Sequence, residues 1–232
     1  MYLSSGERTL LRQDEEYIKT KERIERISLV LNVHPDVANI YPSRYLQFEE
    51  MWPDAFRKLN ESREISSILR AVKSQVDDRN PRLKSMNQML GYLGLVESLG
   101  VSFADIILML AIASGNDLHT RGSYTKHISS FKELEDLDLN QKLDFLVKVL
   151  GLSIFETMID RNLRNIIAHL KFKIESDGRI IDRGNNEVLV EEKIRGFWKS
   201  VDILELIFED AHLWERLEPL THIGTEEISN EN

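Results

Sequence analysis

The sequence contains no cysteine, which excludes disulfides, zinc sites built on thiolates and cysteine nucleophiles. It also lacks an apolar signal-peptide core at the N-terminus, where acidic residues follow almost at once. The longest apolar run, Ile106 to Ala113, is too short to span a bilayer. We therefore expect a soluble, cytoplasmic protein.

Basic residues are in the minority, since 30 lysines and arginines stand against 39 aspartates and glutamates, for a net charge of −9. A protein that coats nucleic acid needs a positive surface, so this balance argues against such a general role. The chain has no glycine-rich phosphate loop and no GxGxxG motif, which argues against kinase and dinucleotide-binding folds. Its 232 residues can bury one good core, or one domain with a helical extension.

The first eighty residues predict an N-terminal helical extension. Apolar residues recur every seven positions from Glu7 to Leu31, which indicates one long helix with a narrow apolar seam. Three prolines between Val33 and Asn60 are expected to break any long helix there. Aromatic residues in the same stretch can stack on nucleotide bases or fill a core, and the absence of alternating basic residues favours the core. They are Tyr41, Tyr45, Phe48, Trp52 and Phe56.

Residues 81–217 predict a helical domain. Ser102 can cap a helix whose apolar run, Ile106–Ala113, belongs in the middle of a core or at an interface. Around Asp177-Gly178 the apolar period shortens to two, which indicates a β-hairpin. From Val190 to Leu217 apolar residues alternate steps of four and three, so a long closing helix is expected.

Two polar segments complete the chain. The connection at residues 114–137 contains His119 and His127, which are too far apart for a helical pair of metal ligands and have no carboxylate-rich framework. We therefore expect no metal site there. The tail at residues 218–232 is short and acidic, which favours disorder.

The stretch from Ser153 to Phe172 has the clearest chemical content. Ser153 and Glu156 match the spacing of a capping box, so a helix is expected to begin here. An apolar stripe predicts the buried face of that helix: Ile159, Leu163, Ile166 and Leu170.

The opposite face of the same helix is basic and polar, with small Ala168 among the larger side chains. No acid occurs between Arg161 and Phe172. This face is either the solvated side of an amphipathic helix or a local site for one phosphate on an acidic protein. Its polar members are Arg161, Arg164, Asn165 and His169.

The sequence Arg164-Asn165-Ile166-Ile167-Ala168-His169 resembles the Arg-polar-x-x-x-His signature of the HEPN superfamily, helical modules that include many metal-independent ribonucleases. The resemblance covers roughly residues 81–217. It implies an all-α fold, a helical bundle of HEPN type with an N-terminal helical extension and a short β-hairpin before the last helix. It also implies an RNA substrate, no cofactor and no metal, a role in defence, as a toxin or in RNA processing, and possible control by an antitoxin partner.

The resemblance assigns roles to three residues. His169 would exchange protons, because an imidazole can do so near neutral pH. Arg164 would stabilise charge on the phosphate, because its guanidinium is a permanent fork of donors. Asn165 would orient the phosphate or the imidazole. Candidate substrate-binding residues are Arg161, Lys171, Arg121, Lys126 and His127.

Arg164 and His169 are about 140° apart on an ideal helix, so one motif converges poorly on a single phosphate. HEPN-like domains bring two motifs to one cleft by dimerising, and the resemblance therefore implies a homodimer. Two other interpretations stay open. The chain can be a non-catalytic HEPN-like module that binds RNA or a partner, or a helical structural protein in which these residues are surface or interface groups.

Overall fold

The fold is mostly helical, as the sequence predicts, in a computed structural model that describes residues 3–32, 42–73, 80–116, 118–119 and 127–213. The helices are α1 (Ser5–Arg12), α2 (Glu15–Asn32), α3 (Pro42–Lys73), α4 (Pro81–Leu95), α5 (Val101–Ala113), α6 (Phe131–Glu135), α7 (Leu139–Asp144), α8 (Ile154–Met158), α9 (Arg161–Ala168) and α10 (Val190–Asp210). Two π-helical turns accompany them, the first at Val96–Gly100 and the second at Phe145–Val149. The strands pair as two antiparallel hairpins, β1 (Leu118–His119) with β2 (His127–Ile128) and β3 (Phe172–Ile174) with β4 (Ile180–Asp182).

A continuous helix made of α4, the first π turn and α5 forms the centre of the protein. Every residue from Ile106 to Ala113 is buried, which confirms the prediction for this run. Ser102 lies inside the helix and caps nothing, because the backbone stays helical through Gly100 (φ −62°, ψ −45°). Its hydroxyl lies 3.0 Å from that of Ser62 on α3. The whole stretch is long and apolar enough to cross a membrane, and 72% of its most apolar window is buried inside the protein.

Helix α3 runs for 32 residues through Pro53, so the prediction that prolines break this region is wrong. Pro42 is the first helical residue, where the missing N–H has no intrahelical partner to lose. Phe48 and Trp52 are fully buried with stacked rings 5.3 Å apart, which confirms that these aromatics fill the core. Burial of two large rings offsets the cost of an interior proline, about 3 kcal/mol. Tyr41 lies outside the described residues.

The N-terminal region forms α1 and α2 instead of the predicted single helix. The helix is interrupted at Asp14. The carboxylate of Asp14 accepts a hydrogen bond from the backbone N–H of Glu16 at 2.9 Å, and this bond competes with a continuous helix. Arg12 of α1 pairs with Asp210 at the end of α10, with 2.7 Å between Nη2 and Oδ1. The N-terminal helices therefore pack on the closing helix. The division of the chain at residue 80 stays a prediction.

The predicted hairpin before the last helix is confirmed, and its turn is fixed to α4. Gly178 has a φ of 90°, and a Cβ there would lie 2.8 Å from Cβ of Pro81, so only glycine fits. The hydroxyl of Ser85 donates to the Gly178 carbonyl at 2.5 Å. The closing helix ends at Asp210, earlier than predicted, and the acidic tail lies outside the described residues.

Candidate active site

The Ser153–Phe172 stretch forms two short helices, α8 and α9, and the prediction of one helix is wrong. Ile159 between them is extended (φ −122°, ψ 93°). Ser153 makes no side-chain capping bond, so the expected capping box is absent. Asp160 caps α9 instead, and its Oδ1 accepts the backbone N–H of Leu163 at 2.9 Å. A carboxylate suits this position because the N-terminus of a helix carries partial positive charge.

Two neighbouring helices hold Asp160 in place. Its backbone N–H donates to the hydroxyl oxygen of buried Tyr92 on α4 at 2.8 Å, and its Oδ2 lies 2.7 Å from Nζ of Lys193 on α10. Burial raises the pKa of Asp160, but the ion pair with Lys193 and the capping N–H outweigh burial, so the net shift is downward. Burial likewise raises the pKa of Tyr92. The start of the motif helix is therefore tied to the core.

The C-terminal end of α9 turns sharply after Ala168. Leu170 takes a left-handed conformation (φ 51°) and is 72% exposed, so the prediction that it continues the buried stripe is wrong. Its N–H donates to the Ile167 carbonyl at 3.1 Å, and that of Lys171 donates to the Ile166 carbonyl at 2.8 Å. These two bonds form a Schellman motif, which normally has glycine at the left-handed position.

Each arginine of α9 is paired with an acid from elsewhere in the chain. Nε of Arg164 donates to Oε1 of Glu97 at 2.7 Å, and its Nη1 donates to Oδ1 of Asn165 at 3.4 Å. Nη1 of Arg161 lies 2.8 Å from Oδ1 of Asp144. The segment from Arg161 to Phe172 contains no acid, but the fold brings two carboxylates to it.

Both carboxylates lie in or next to π turns, which no pattern in the sequence indicates. Glu97 lies within the first π turn, and Asp144 directly precedes the second. Burial raises the pKa of Asp144, but hydrogen bonds from Lys148 and Arg161 outweigh it and lower the pKa overall. Glu97 and Asp144 are therefore site residues that reasoning from the sequence missed. The helix cap at Asp160 could have been predicted from the sequence, because aspartate is a preferred N-cap residue.

His169 and Lys171 present their side chains to solvent at the end of α9. Within the described parts of the chain, neither the imidazole nor the ammonium makes a hydrogen bond or ion pair. The backbone N–H of His169 donates to the Asn165 carbonyl at 3.1 Å and closes the helix. No hydrogen bond joins the Arg164 guanidinium to the His169 imidazole. A single chain thus presents both motif groups on the same short helical segment without joining them.

Of the three candidates in the polar connection, Arg121 and Lys126 lie outside the described residues. His127 pairs with His119 across the β1–β2 hairpin, and their rings stack with centroids 4.2 Å apart. Strand β1 packs against the second π turn, which follows the residue that holds Arg161. The hairpin and α9 therefore meet the same segment, but no hydrogen bond joins His127 to the motif residues.

A second cluster of charged side chains lines a cavity of about 80 Å³ between α3, α5, α6 and α7. Nζ of Lys142 lies 2.6 Å from Oδ1 of Asp105, and Nζ of Lys58 lies 2.7 Å from Oδ2 of Asp54. Burial raises the pKa of Asp105, and the nearby Lys142 opposes that effect. No group of three or more histidines, aspartates or glutamates in the described ranges is arranged to hold a metal ion. Both lysines already have acids as partners: the Lys142–Asp105 pair ties α7 to α5, and the Lys58–Asp54 pair lies within α3.

No family model, curated protein or solved structure matches this chain. The resemblance to the HEPN superfamily therefore continues to depend on the motif from Arg164 to His169.

Proposed function

We propose that the protein is a metal-independent endoribonuclease of HEPN type, with Arg164, Asn165 and His169 as its catalytic residues. The observation that carries the proposal is the exposed His169 imidazole at the end of a short capped helix that also presents the Arg164 guanidinium. An exposed imidazole and a fixed guanidinium are the two groups that such a reaction needs.

The reaction breaks the RNA chain through its own 2′-hydroxyl. The 2′-oxygen loses a proton and bonds to phosphorus, and the bond from phosphorus to the 5′-oxygen breaks as that oxygen gains a proton. The imidazole of His169 exchanges these protons. Arg164 donates to the phosphate oxygens as negative charge builds on them, and Asn165 orients the phosphate. Arg161, Lys171 and His127 are the described candidates for holding neighbouring phosphates.

Because one chain leaves Arg164 and His169 unjoined, we propose that two copies share the cleft. A surface for the second copy is available on α4, where Leu83, Met86 and Leu90 are 50%, 36% and 54% exposed. Glu97, seven residues beyond Leu90, continues the same side of the helix. An apolar stripe next to the partner of Arg164 supports packing that brings two motifs together, and burial of this stripe would oppose the repulsion of two acidic chains.

One observation favours the alternative of a non-catalytic RNA- or partner-binding module. Glu97 already occupies the Nε donor of Arg164, and the acids around α9 reduce its positive charge. Binding without cleavage would fit an arginine that serves chiefly in an ion pair.

Cleavage of RNA by the purified full-length protein in excess chelator tests the proposal. His169→Ala is expected to lower the rate by about 10²–10⁴-fold. His212→Ala is the matched control, because His212 is also an exposed histidine just beyond a helix end. Binding without cleavage would favour the alternative. Cleavage of all-deoxy substrates would contradict the mechanism, which requires the 2′-hydroxyl.

The dimer is tested separately by sedimentation. Leu90→Glu is expected to give monomers with little cleavage activity, whereas Leu10→Glu, at a residue of α1 that is 69% exposed, is expected to change neither. Full activity of monomeric protein would contradict the shared cleft.

A further inference from the structure

We infer that Glu97 is a positioning residue for Arg164, an inference that rests on the proposed ribonuclease function. Its carboxylate accepts a hydrogen bond from the guanidinium and, within the described part of the chain, from no backbone N–H of the motif. It would therefore act on the substrate through Arg164 alone.

The hydrogen bonds around Arg164 define how its guanidinium is aimed. Nε is engaged by Oε1 of Glu97 at 2.7 Å, and Nη1 reaches Oδ1 of Asn165 at 3.4 Å. Nη2 donates to no side chain or carbonyl in the described ranges. The Glu97 carboxylate occupies the Nε donor, and the Asn165 amide oxygen occupies one hydrogen of Nη1. Nη2 and the second hydrogen of Nη1 are therefore left to bind an anion. Glu97 thus fixes which edge of Arg164 faces the substrate.

The backbone that carries Glu97 is built against the motif helix. Glu97 lies in the first π turn, and such turns often occur at functional sites. Gly100 closes this turn, and a Cβ at Gly100 would lie 3.2 Å from Cδ1 of Ile159. Ile159 immediately precedes the cap of α9. The acid and the arginine therefore come from two segments that pack directly on each other, which keeps their separation constant.

Glu97 is 41% exposed and Arg164 is 27% exposed at the side chain, so solvent screens their attraction. Loss of Glu97 should consequently have little effect on overall RNA binding. Loss of orientation should have a larger effect on the chemical step, because a misplaced catalytic group costs on the order of 10²-fold in rate. A positioning residue is thus distinguished by a change in turnover without a matching change in affinity.

The experiment compares Glu97→Ala and Glu97→Gln with Glu205→Ala. Glu205 is a matched control, because its Oε1 accepts from Nε of Arg63 at 3.1 Å and the two side chains are 40% and 31% exposed. Turnover is measured at saturating RNA in chelator, and affinity is measured with 2′-O-methyl RNA, which cannot react. Glu97→Ala should lower turnover by about 10-fold to 100-fold. Affinity should change by no more than about fivefold. Glu97→Gln should recover part of the rate, because an amide oxygen still accepts from Nε.

Equal effects of Glu97→Ala and Glu205→Ala would overturn the inference, because Glu97 would then be only a structural tie. Tighter binding with unchanged turnover would also overturn it, since Glu97 would then be a competitor of the phosphate. Failure of the proposed function is distinguishable, because the wild-type protein itself would not cleave RNA.

Discussion

Two arginine–glutamate pairs in this chain have nearly the same geometry. In both, Nε donates to Oε1 of a glutamate on another segment, at 3.1 Å for Arg63 with Glu205 and 2.7 Å for Arg164 with Glu97. In both, Nη1 also lies 3.4 Å from Oδ1 of an asparagine, Asn60 in one and Asn165 in the other. The geometry of an ion pair therefore does not mark a functional site.

The two pairs differ in what lies beside them. Arg63 is in the middle of a 32-residue helix and joins α3 to α10. Arg164 is in an eight-residue helix that ends at the exposed imidazole of His169 and the exposed ammonium of Lys171. Exposed ion pairs of this kind contribute about 0–1 kcal/mol to stability, so the two pairs should be similar in that respect. Only the second lies in a helix that ends at an exposed imidazole.

The strongest test of this comparison removes each arginine in turn. Arg164→Ala is expected to lower RNA cleavage by about 10²–10³-fold, the usual cost of losing one donor to a developing oxyanion. Arg63→Ala should leave cleavage within a few-fold of wild type, because its pair ties two helices away from the motif. Turnover in chelator and chemical denaturation are measured on both variants. Similar losses of activity would show that the arginines play the same structural role.

The second test concerns how each arginine is supported. The short motif helix depends on its cap, so Asp160→Ala should lower the free energy of unfolding by about 1–2 kcal/mol. Asp54→Ala removes two exposed ion pairs from the long helix of Arg63 and no cap, and should cost less than about 1 kcal/mol. Urea denaturation at neutral pH measures both differences.

The pH dependence of the stability of Asp160→Ala, compared with wild type, provides a control. The fold lowers the pKa of Asp160, so its carboxylate stabilises the protein above its ordinary pKa, about 3.9, and this contribution is lost as pH falls through the lowered value. The difference between wild type and Asp160→Ala should therefore shrink in acid. A difference that is constant from neutral pH to below pH 3 would contradict the role of the ionised cap.

Patterns in the sequence predicted the features that depend on local periodicity. The closing helix, the hairpin before it and the buried run of α5 follow from regular spacing of apolar residues. The continuous α3 could not be predicted in this way, because packing of Phe48 and Trp52 in the core overrides the local effect of Pro53.

The candidate site was also predicted only where its residues are close in sequence. The motif could be recognised because Arg164 and His169 are five positions apart. Glu97 could not be predicted as a site residue, because it is 67 residues from Arg164 and reaches it from a π turn. The break before α9 was missed because the apolar stripe continues through Ile159, whose side chain is buried although its backbone is extended.

The smallest expected effect is that of Leu170 on the free energy of unfolding. Its left-handed backbone ends the motif helix. A left-handed conformation costs a leucine about 1–2 kcal/mol, and an exposed leucine gains little from burial. Leu170→Gly removes that cost but adds roughly 0.5–1 kcal/mol of chain entropy, so the free energy of unfolding should rise by less than about 1 kcal/mol. Cleavage should stay at the wild-type rate, because the hydrogen bonds of Lys171 and His169 to the helix end do not involve the leucine side chain. If the variant is more stable but has lower turnover, strain at Leu170 orients the imidazole of His169. The motif would then require two supports, Glu97 for the arginine and Leu170 for the histidine.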